Sequence, residues 1–408
     1  MIRGVSVAAT SGPGTAAPPR GRAPLETCTL RELVAYFLRL GTFGFGGPIA
    51  LAGYMQRDLV ERRRWISEQD YKEGLALAQL APGPLAAQLA IYLGWSRAGV
   101  LGATLVAVAF IAPSFLMVLG LSALYVRFGG LTWMLGAFYG VGAAVIAIIV
   151  RTTVKLARLT LGGDRLLWAI CVVSAVFTAW TETEIFSVFI AAGLLTIAVR
   201  ARPRVALGAG ALMLPGHGVA TIGAAAPFVG GPTSLGTIFW FFAKAGAVVF
   251  GSGLAIVPFL HGGAVQQFHW LSERQFLDAI AVSMITPGPV VITVAFIGYL
   301  AAGARGATVA AVGVFLPVYL FVILPAPYFR RFATNPQVHA FVDGVTAAAT
   351  GAIAGAAIVL GRRAITDAGA VLICAAVFAV LATARRIPEP LVIVGAGAVG
   401  LLIRGISP

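Results

Sequence analysis

Three sets of residues in this sequence have types and spacing that could act on a ligand, and all three sit inside apolar runs. The first is Gly41-Thr42-Phe43-Gly44-Phe45-Gly46-Gly47-Pro48. Four glycines and a proline in eight residues do not hold a regular helix. Glycine loses the most entropy on ordering, and proline lacks the amide hydrogen. A break of this kind leaves backbone N–H groups and a new helix N-terminus inside the run, which is anion-binding chemistry. A related segment, Gly246-Ala247-Val248-Val249-Phe250-Gly251-Ser252-Gly253, keeps two of the glycines in register and adds the Ser252 hydroxyl as a donor. The candidate ligand-binding residues here are Gly46, Gly47, Pro48, Gly251, Ser252 and Gly253. Close helix crossing through small residues is the competing explanation.

The second set is Pro82-Gly83-Pro84 and its partner Pro287-Gly288-Pro289. Two prolines around a glycine stop a helix and turn it. Each turn falls in the middle of an apolar run, so each run reads as a re-entrant hairpin or, less interestingly, as a kinked helix. Gln79 and Gln88 flank the first turn and offer amide donors. Their partner positions hold Met284 and Thr293, so any polar lining is asymmetric. The third set is Arg39 and Lys244, one basic residue in each matching run. A charge at the bilayer centre costs about 2.5–3.5 kcal/mol on insertion scales, so it marks an ion path unless it snorkels to the interface.

Other residues read as structural. Ser67 and Ser272 open capping-box patterns, with Trp65 and Trp270 before them as interface anchors. Glu73 and Asp278 are equivalent acids in the helices that follow, favouring the helix dipole, with proton coupling as the alternative. Cys28, Cys171 and Cys374 are far apart, and no His or Cys pair has metal-ligand spacing. No catalytic constellation, metal site or cofactor motif is legible, so the sequence does not read as an enzyme.

These residues recur because the chain is a duplication. Trp65-Ile66-Ser67-Glu68 returns as Trp270-Leu271-Ser272-Glu273, and Pro82-Gly83-Pro84 returns as Pro287-Gly288-Pro289, both 205 positions on. Arg39 and Lys244 share that offset. After one deletion, Gly102-Ala103-Thr104 matches Gly306-Ala307-Thr308, and Pro113 matches Pro317. The spacing divides the chain into a basic, disordered tail without a signal-peptide h-region (1–30), a first repeat (31–203), a linker (204–234) and a second repeat (235–408). Loop 57–72 carries Arg57, Arg62, Arg63, Arg64 and Lys72, whereas its partner 262–277 carries only Arg274. Positive residues favour the cytoplasm, so the matching loops belong on opposite sides and the repeats are inverted. Arg362, Arg363 and Arg404 run against this bias. Inversion also asks the linker, around 205–228, to cross the bilayer.

Composition names the medium. Of 408 residues 59% are hydrophobic and 11% are charged, against about 25% charged in an ordinary soluble domain. The net charge of +14 is scattered between apolar runs, which argues against nucleic acid as a partner. About a dozen apolar runs, most near the ~20 residues that span a bilayer, make the partner a lipid bilayer. The two runs at 166–180 and 184–199 are short. The expected fold is an all-α, multi-pass integral membrane protein: two homologous helical repeats with Pro/Gly-broken helices or re-entrant hairpins. Small-residue pairs such as Gly136/Gly140 and Gly351/Gly355 pack helices within one chain or across a homodimer.

The stretch from Phe45-Gly46-Gly47-Pro48 through Gly53-Tyr54, Arg62-Arg63-Arg64-Trp65 and Pro82-Gly83-Pro84 to Gln88 resembles the chromate ion transporter family, in its long two-domain form. The likeness covers about residues 31–404. It implies efflux of chromate from the cytoplasm across a bacterial-type inner membrane, driven by membrane potential or a proton gradient without ATP. It also implies homologous halves of opposite orientation. On that reading N–H groups at Gly46, Gly47, Gly83, Gly251 and Gly288 replace the water of a tetrahedral oxyanion, and Arg39 and Lys244 offset its charge. The sequence departs from the family at Leu51, where many members carry His, and at Gly251-Ser252-Gly253. A carrier of sulfate or another oxyanion and an anion channel are the alternatives.

Overall fold

The computed structural model describes residues 26–45, 47–128, 132–181, 186–201, 233–248, 253–329, 335–383, 387 and 389–404. Most of the expected tail and of the linker, the proposed crossing at 205–228 included, lies outside them. The described residues are helical, without a strand. The first half holds α1 (Leu30–Phe43), α2 (Gly47–Met55, continued by a π-helical stretch Gln56–Arg62), α3 (Glu68–Leu80), α4 (Leu85–Phe128), α5 (Thr132–Thr160), α6 (Arg165–Thr181) and α7 (Phe186–Arg200). The second half repeats the order. It holds α8 (Leu235–Val248), α9 (Val257–His261, between a 3-10 turn Gly253–Ile256 and a π stretch Gly262–Gln267), α10 (Glu273–Ile285), α11 (Thr293–Ile323), α12 (Pro336–Ala364), α13 (Ala368–Thr383) and α14 (Glu389–Arg404).

The duplication is visible in single dihedral angles. Ala98 (φ −144°, ψ 31°) and Gly99 (φ 56°, ψ −145°) break α4, and Ala302 (φ −151°, ψ 32°) and Gly303 (φ 63°, ψ −156°) break α11 at the matching place. The left-handed φ requires the glycine. Ser67 and Ser272 cap α3 and α10 as expected, with a complete capping box at Ser272.

Two hairpins enter and leave on one side of the first repeat. The Glu26 amide donates to the Arg64 carbonyl (3.1 Å), and the Arg97 guanidinium donates to the Cys28 carbonyl (3.1 Å). The start of α1, the end of the π stretch and the end of the first segment of α4 therefore lie together. At 1.5 Å per residue, the 14 residues of α1 advance about 21 Å, short of the ~30 Å hydrocarbon core. Its tip at Gly44 and the tip at Pro82–Pro84 are thus at mid-depth. The run 33–56, expected to unwind, also turns back. Each α1-type helix lies directly on the long helix of its own repeat. A Cβ on Gly41 would collide with the Phe110 carbonyl of α4, and one on Gly246 with the Val314 carbonyl of α11.

Beyond the hairpins the long helices pass through. Four segments are long and apolar enough to cross a membrane: Leu85–Phe128, Gly136–Thr160, Val290–Tyr328 and Pro336–Ala364. The matching helices run in opposite directions. Thr104, near the start of the long segment of α4, shares a hydroxyl hydrogen bond (2.6 Å) with Tyr319 near the end of α11. Tyr125, near the end of α4, packs edge-on against Phe296 near the start of α11 (5.1 Å between ring centroids) and donates to Asp278 (2.8 Å) in α10. The two long helices are therefore antiparallel, as inverted repeats require. The repeats also exchange their last two helices: α6 and α7 pack on α12, and α13 and α14 pack on α5. Gly140 approaches Ala396 and Gly400, and Gly351 approaches Cys171. These small-residue pairs pack helices within the chain.

One expected anchor is corrected. Trp270 is buried, stacked on Phe268 (4.7 Å between centroids) and edge-on to Phe241 (5.4 Å), because its hairpin carries an aromatic cluster. Trp65 keeps a half-buried position under the Arg63 guanidinium (4.5 Å).

Candidate functional site

The four broken segments meet at one small cavity between the repeats. Pro48 and Leu51 come from α2, Pro84 and Ala86 from the start of α4, Gly253 from the turn leading into α9, and Gly288, Pro289 and Val290 from the turn leading into α11. Each segment presents its N-terminal end. The first N–H groups of a helix have no partner within it, and the end carries roughly half a positive charge. Among the described residues no charged side chain lines the cavity, so the polarity they give it is that of the backbone. The cavity has room for about one water and too little for a tetrahedral oxyanion.

The turns that shape the cavity need glycine. Gly47 (φ 75°), Gly83 (φ 142°) and Gly288 (φ 102°) all have positive φ. Each Pro-Gly-Pro tip has its first carbonyl satisfied, but by different means. The buried Gln88 amide donates from Nε2 to the Pro82 carbonyl (2.7 Å), within its own repeat. Gln88 Oε1 has no partner among the described residues. At the other tip the Ser114 hydroxyl, on α4 of the first repeat, donates to the Pro287 carbonyl (2.6 Å) and lies 3.4 Å from the Gly41 carbonyl. The Gly288 N–H donates to the Gly44 carbonyl (3.0 Å).

Of the residues expected from the sequence, the structure brings together Pro48, Pro84, Gly253, Gly288 and Pro289 at the cavity wall, with Gly47, Pro82, Gly83, Gln88 and Pro287 in the turns beside it. Gly46, Gly251 and Ser252 lie outside the described residues. Gln79 is exposed at the last turn of α3. Arg39 and Lys244 lie elsewhere: both are exposed on the outer faces of α1 and α8 and are not among the residues lining the cavity. The face that carries Gly41 and Gly246 is pressed on α4 and α11, and helical spacing sends Arg39 and Lys244 the other way.

Sequence reasoning did not single out Ala86, Val290 or Ser114 as site residues. Ala86 and Val290 lie within two residues of the Pro-Gly-Pro motifs, so proximity is a usable signal. Ser114 is one serine in an apolar run whose repeat partner is Val318, and nothing local marks it. The acids do more than favour helix dipoles. Tyr125 holds Asp278, which is 2% exposed, and the Tyr92 hydroxyl donates to Glu73 (3.3 Å).

The chromate transporter family model matches residues 31–197 and again 236–401. A chromate transport protein of Cupriavidus metallidurans is 56% identical over 92% of this chain and 94% of its own length. A probable chromate transport protein of Synechococcus elongatus is 52% identical over 92% of this chain and 95% of its own. A chromate transport protein of Pseudomonas aeruginosa is 34% identical over 91% and 92%. No solved structure matches. Matched in both repeats and aligned nearly end to end with these relatives, the chain belongs to the chromate transporter family and is a multi-pass membrane transporter, not an enzyme.

Proposed function

We propose that this chain is a secondary active transporter that exports chromate from the cytoplasm across the inner membrane. The observation that carries the reading is the convergence of four helix N-terminal ends on one cavity between inverted repeats. Such a site favours an anion through oriented N–H groups, without a fixed side-chain charge that would hold it too tightly to release. The relatives named for chromate supply the identity of the anion. Rocking of one repeat against the other would open the cavity to each side in turn. Its present volume corresponds to a closed state between the two.

The direction follows from charge. Each unit charge moved across 100 mV is worth about 2.3 kcal/mol, so a potential negative inside favours the exit of a dianion by about 4.6 kcal/mol. Export needs no ATP at that driving force. One observation favours a second reading, a carrier of sulfate or a related oxyanion: among the described residues the cavity wall has no side-chain donor to tell one tetrahedral dianion from another. Labelled chromate uptake into energised everted vesicles, with and without excess sulfate, tests both. Uphill accumulation that resists sulfate and collapses with an uncoupler is the expected result. Competition by sulfate would move the substrate to sulfate. Flux that only dissipates a gradient would make the protein a channel.

A further inference from the structure

We propose that Ser114 and the Gly44–Gly288 peptide hydrogen bond form a latch that holds the second Pro-Gly-Pro tip shut over the cavity. On this proposal the second tip is the moving gate, while the first stays with its own repeat. The inference rests on the cavity being the anion site, and goes beyond that reading in naming which wall moves and what holds it.

The argument is one of ownership. At the first tip, the Pro82 carbonyl is satisfied by Gln88, six residues along the same chain segment. That bond travels with its helix and resists nothing when the repeats separate. At the second tip, both bonds cross between repeats: Ser114 on α4 to the Pro287 carbonyl, and the Gly288 N–H to the Gly44 carbonyl at the tip of α1. Ser114 is fully buried and faces Gly288 so closely that a Cβ there would collide with its hydroxyl oxygen. The difference is written in the sequence. Ser114 corresponds to Val318, which faces Gly83 with a methyl group, and Gln88 corresponds to Thr293, which bonds its own Val290 carbonyl (2.8 Å). The Ser114 bond therefore has no counterpart at the first tip, where Val318 stands in its place; the position equivalent to Gly44, Val249, lies outside the described residues.

The latch also uses a donor that the anion needs. Gly288 lines the cavity, and its N–H points to the Gly44 carbonyl. An oxyanion in the cavity competes with that carbonyl for the same hydrogen. Latch closure and anion binding therefore exclude each other, and weakening the latch favours the anion-competent state.

The test uses the full chain in proteoliposomes, with Cys28, Cys171 and Cys374 replaced and one reporter cysteine added. Val290→Cys reports the second tip, and Leu85→Cys reports the equivalent place on the first. Without anion, Ser114→Ala should raise maleimide labelling of the Val290→Cys chain about fivefold, the size of one net hydrogen bond, and leave the Leu85→Cys chain unchanged. Ser114→Thr keeps the hydroxyl, and Val318 shows that a branched side chain fits the equivalent place, so it should label at the parent rate. In chromate flux, Ser114→Ala should lower KM by a similar factor, which a packing defect would not do. Unchanged labelling at Val290→Cys, equal increases at both reporters, an equal rise with Ser114→Thr, or a higher KM would each overturn the latch. The labelling arm needs no substrate, so it decides the latch even if the chain carries no chromate.

Discussion

A polar or charged residue inside an apolar run is a strong functional hint in a membrane protein, yet its direction decides whether the hint holds. Arg39 and Lys244 satisfy every condition of type and repeat position, but both are exposed on faces turned from the cavity. With no side-chain charge among the described residues of the cavity wall, the proposed substrate stabilisation falls to the backbone. Arg39→Gln and Lys244→Gln should each retain chromate flux within about twofold, the scale expected of surface charges outside a site. Abolished flux at normal protein level would restore a direct charge role. The glycines and prolines were legible because their effect on the backbone is local and fixed by residue type. Ser114 was not, because its importance comes from Pro287, 173 residues away.

At the scale of elements, the broken helices work only if they are docked. A hairpin too short to span the bilayer must satisfy its tip inside protein, since exposed backbone polar groups are not tolerated in lipid. Gly41 and Gly246 meet that need by letting α1 and α8 press their backbones against Phe110 and Val314. Alanine at either position overpacks the contact, at a cost of about 1–3 kcal/mol. Gly41→Ala and Gly246→Ala should both lower the melting temperature in detergent and reduce chromate flux, and by similar amounts, since the two contacts are equivalent. A normal melting temperature with normal flux in either would show that the hairpin has room to shift. The sequence could locate the breaks but not the doubling back of 33–56. A glycine cluster permits several exit directions, and contacts from Glu26 to Arg64 and Arg97 to Cys28 select one.

At the scale of the whole molecule, inversion and exchange of helices act together. Because α6 and α7 pack on α12 while α13 and α14 pack on α5, neither repeat completes its own core. Ion pairs fasten the exchange: Arg151 with Glu389 (3.3 Å) and Arg200 with Asp343 (2.9 Å). On the proposed mechanism the repeats move against each other at the hairpins and the α4–α11 contact, while the exchanged helices stay packed. The fixed offset exposed the duplication, but the exchange joins residues some 140 to 240 positions apart, and the helix contacts that carry it leave no motif. The arginines predict the orientation: loop 57–72 in the cytoplasm and its partner outside. Arg62 and Gln267 are equivalent and exposed, one at the end of each π stretch. In the cysteine-free chain expressed in cells, an impermeant maleimide added outside should label Gln267→Cys, and should label Arg62→Cys only after the cells are opened. Labelling of both from one side would place the two loops together, contradicting the antiparallel pairing of Thr104 with Tyr319. It would also leave the two hairpin pairs entering from the same face, with no second face to which the cavity could open.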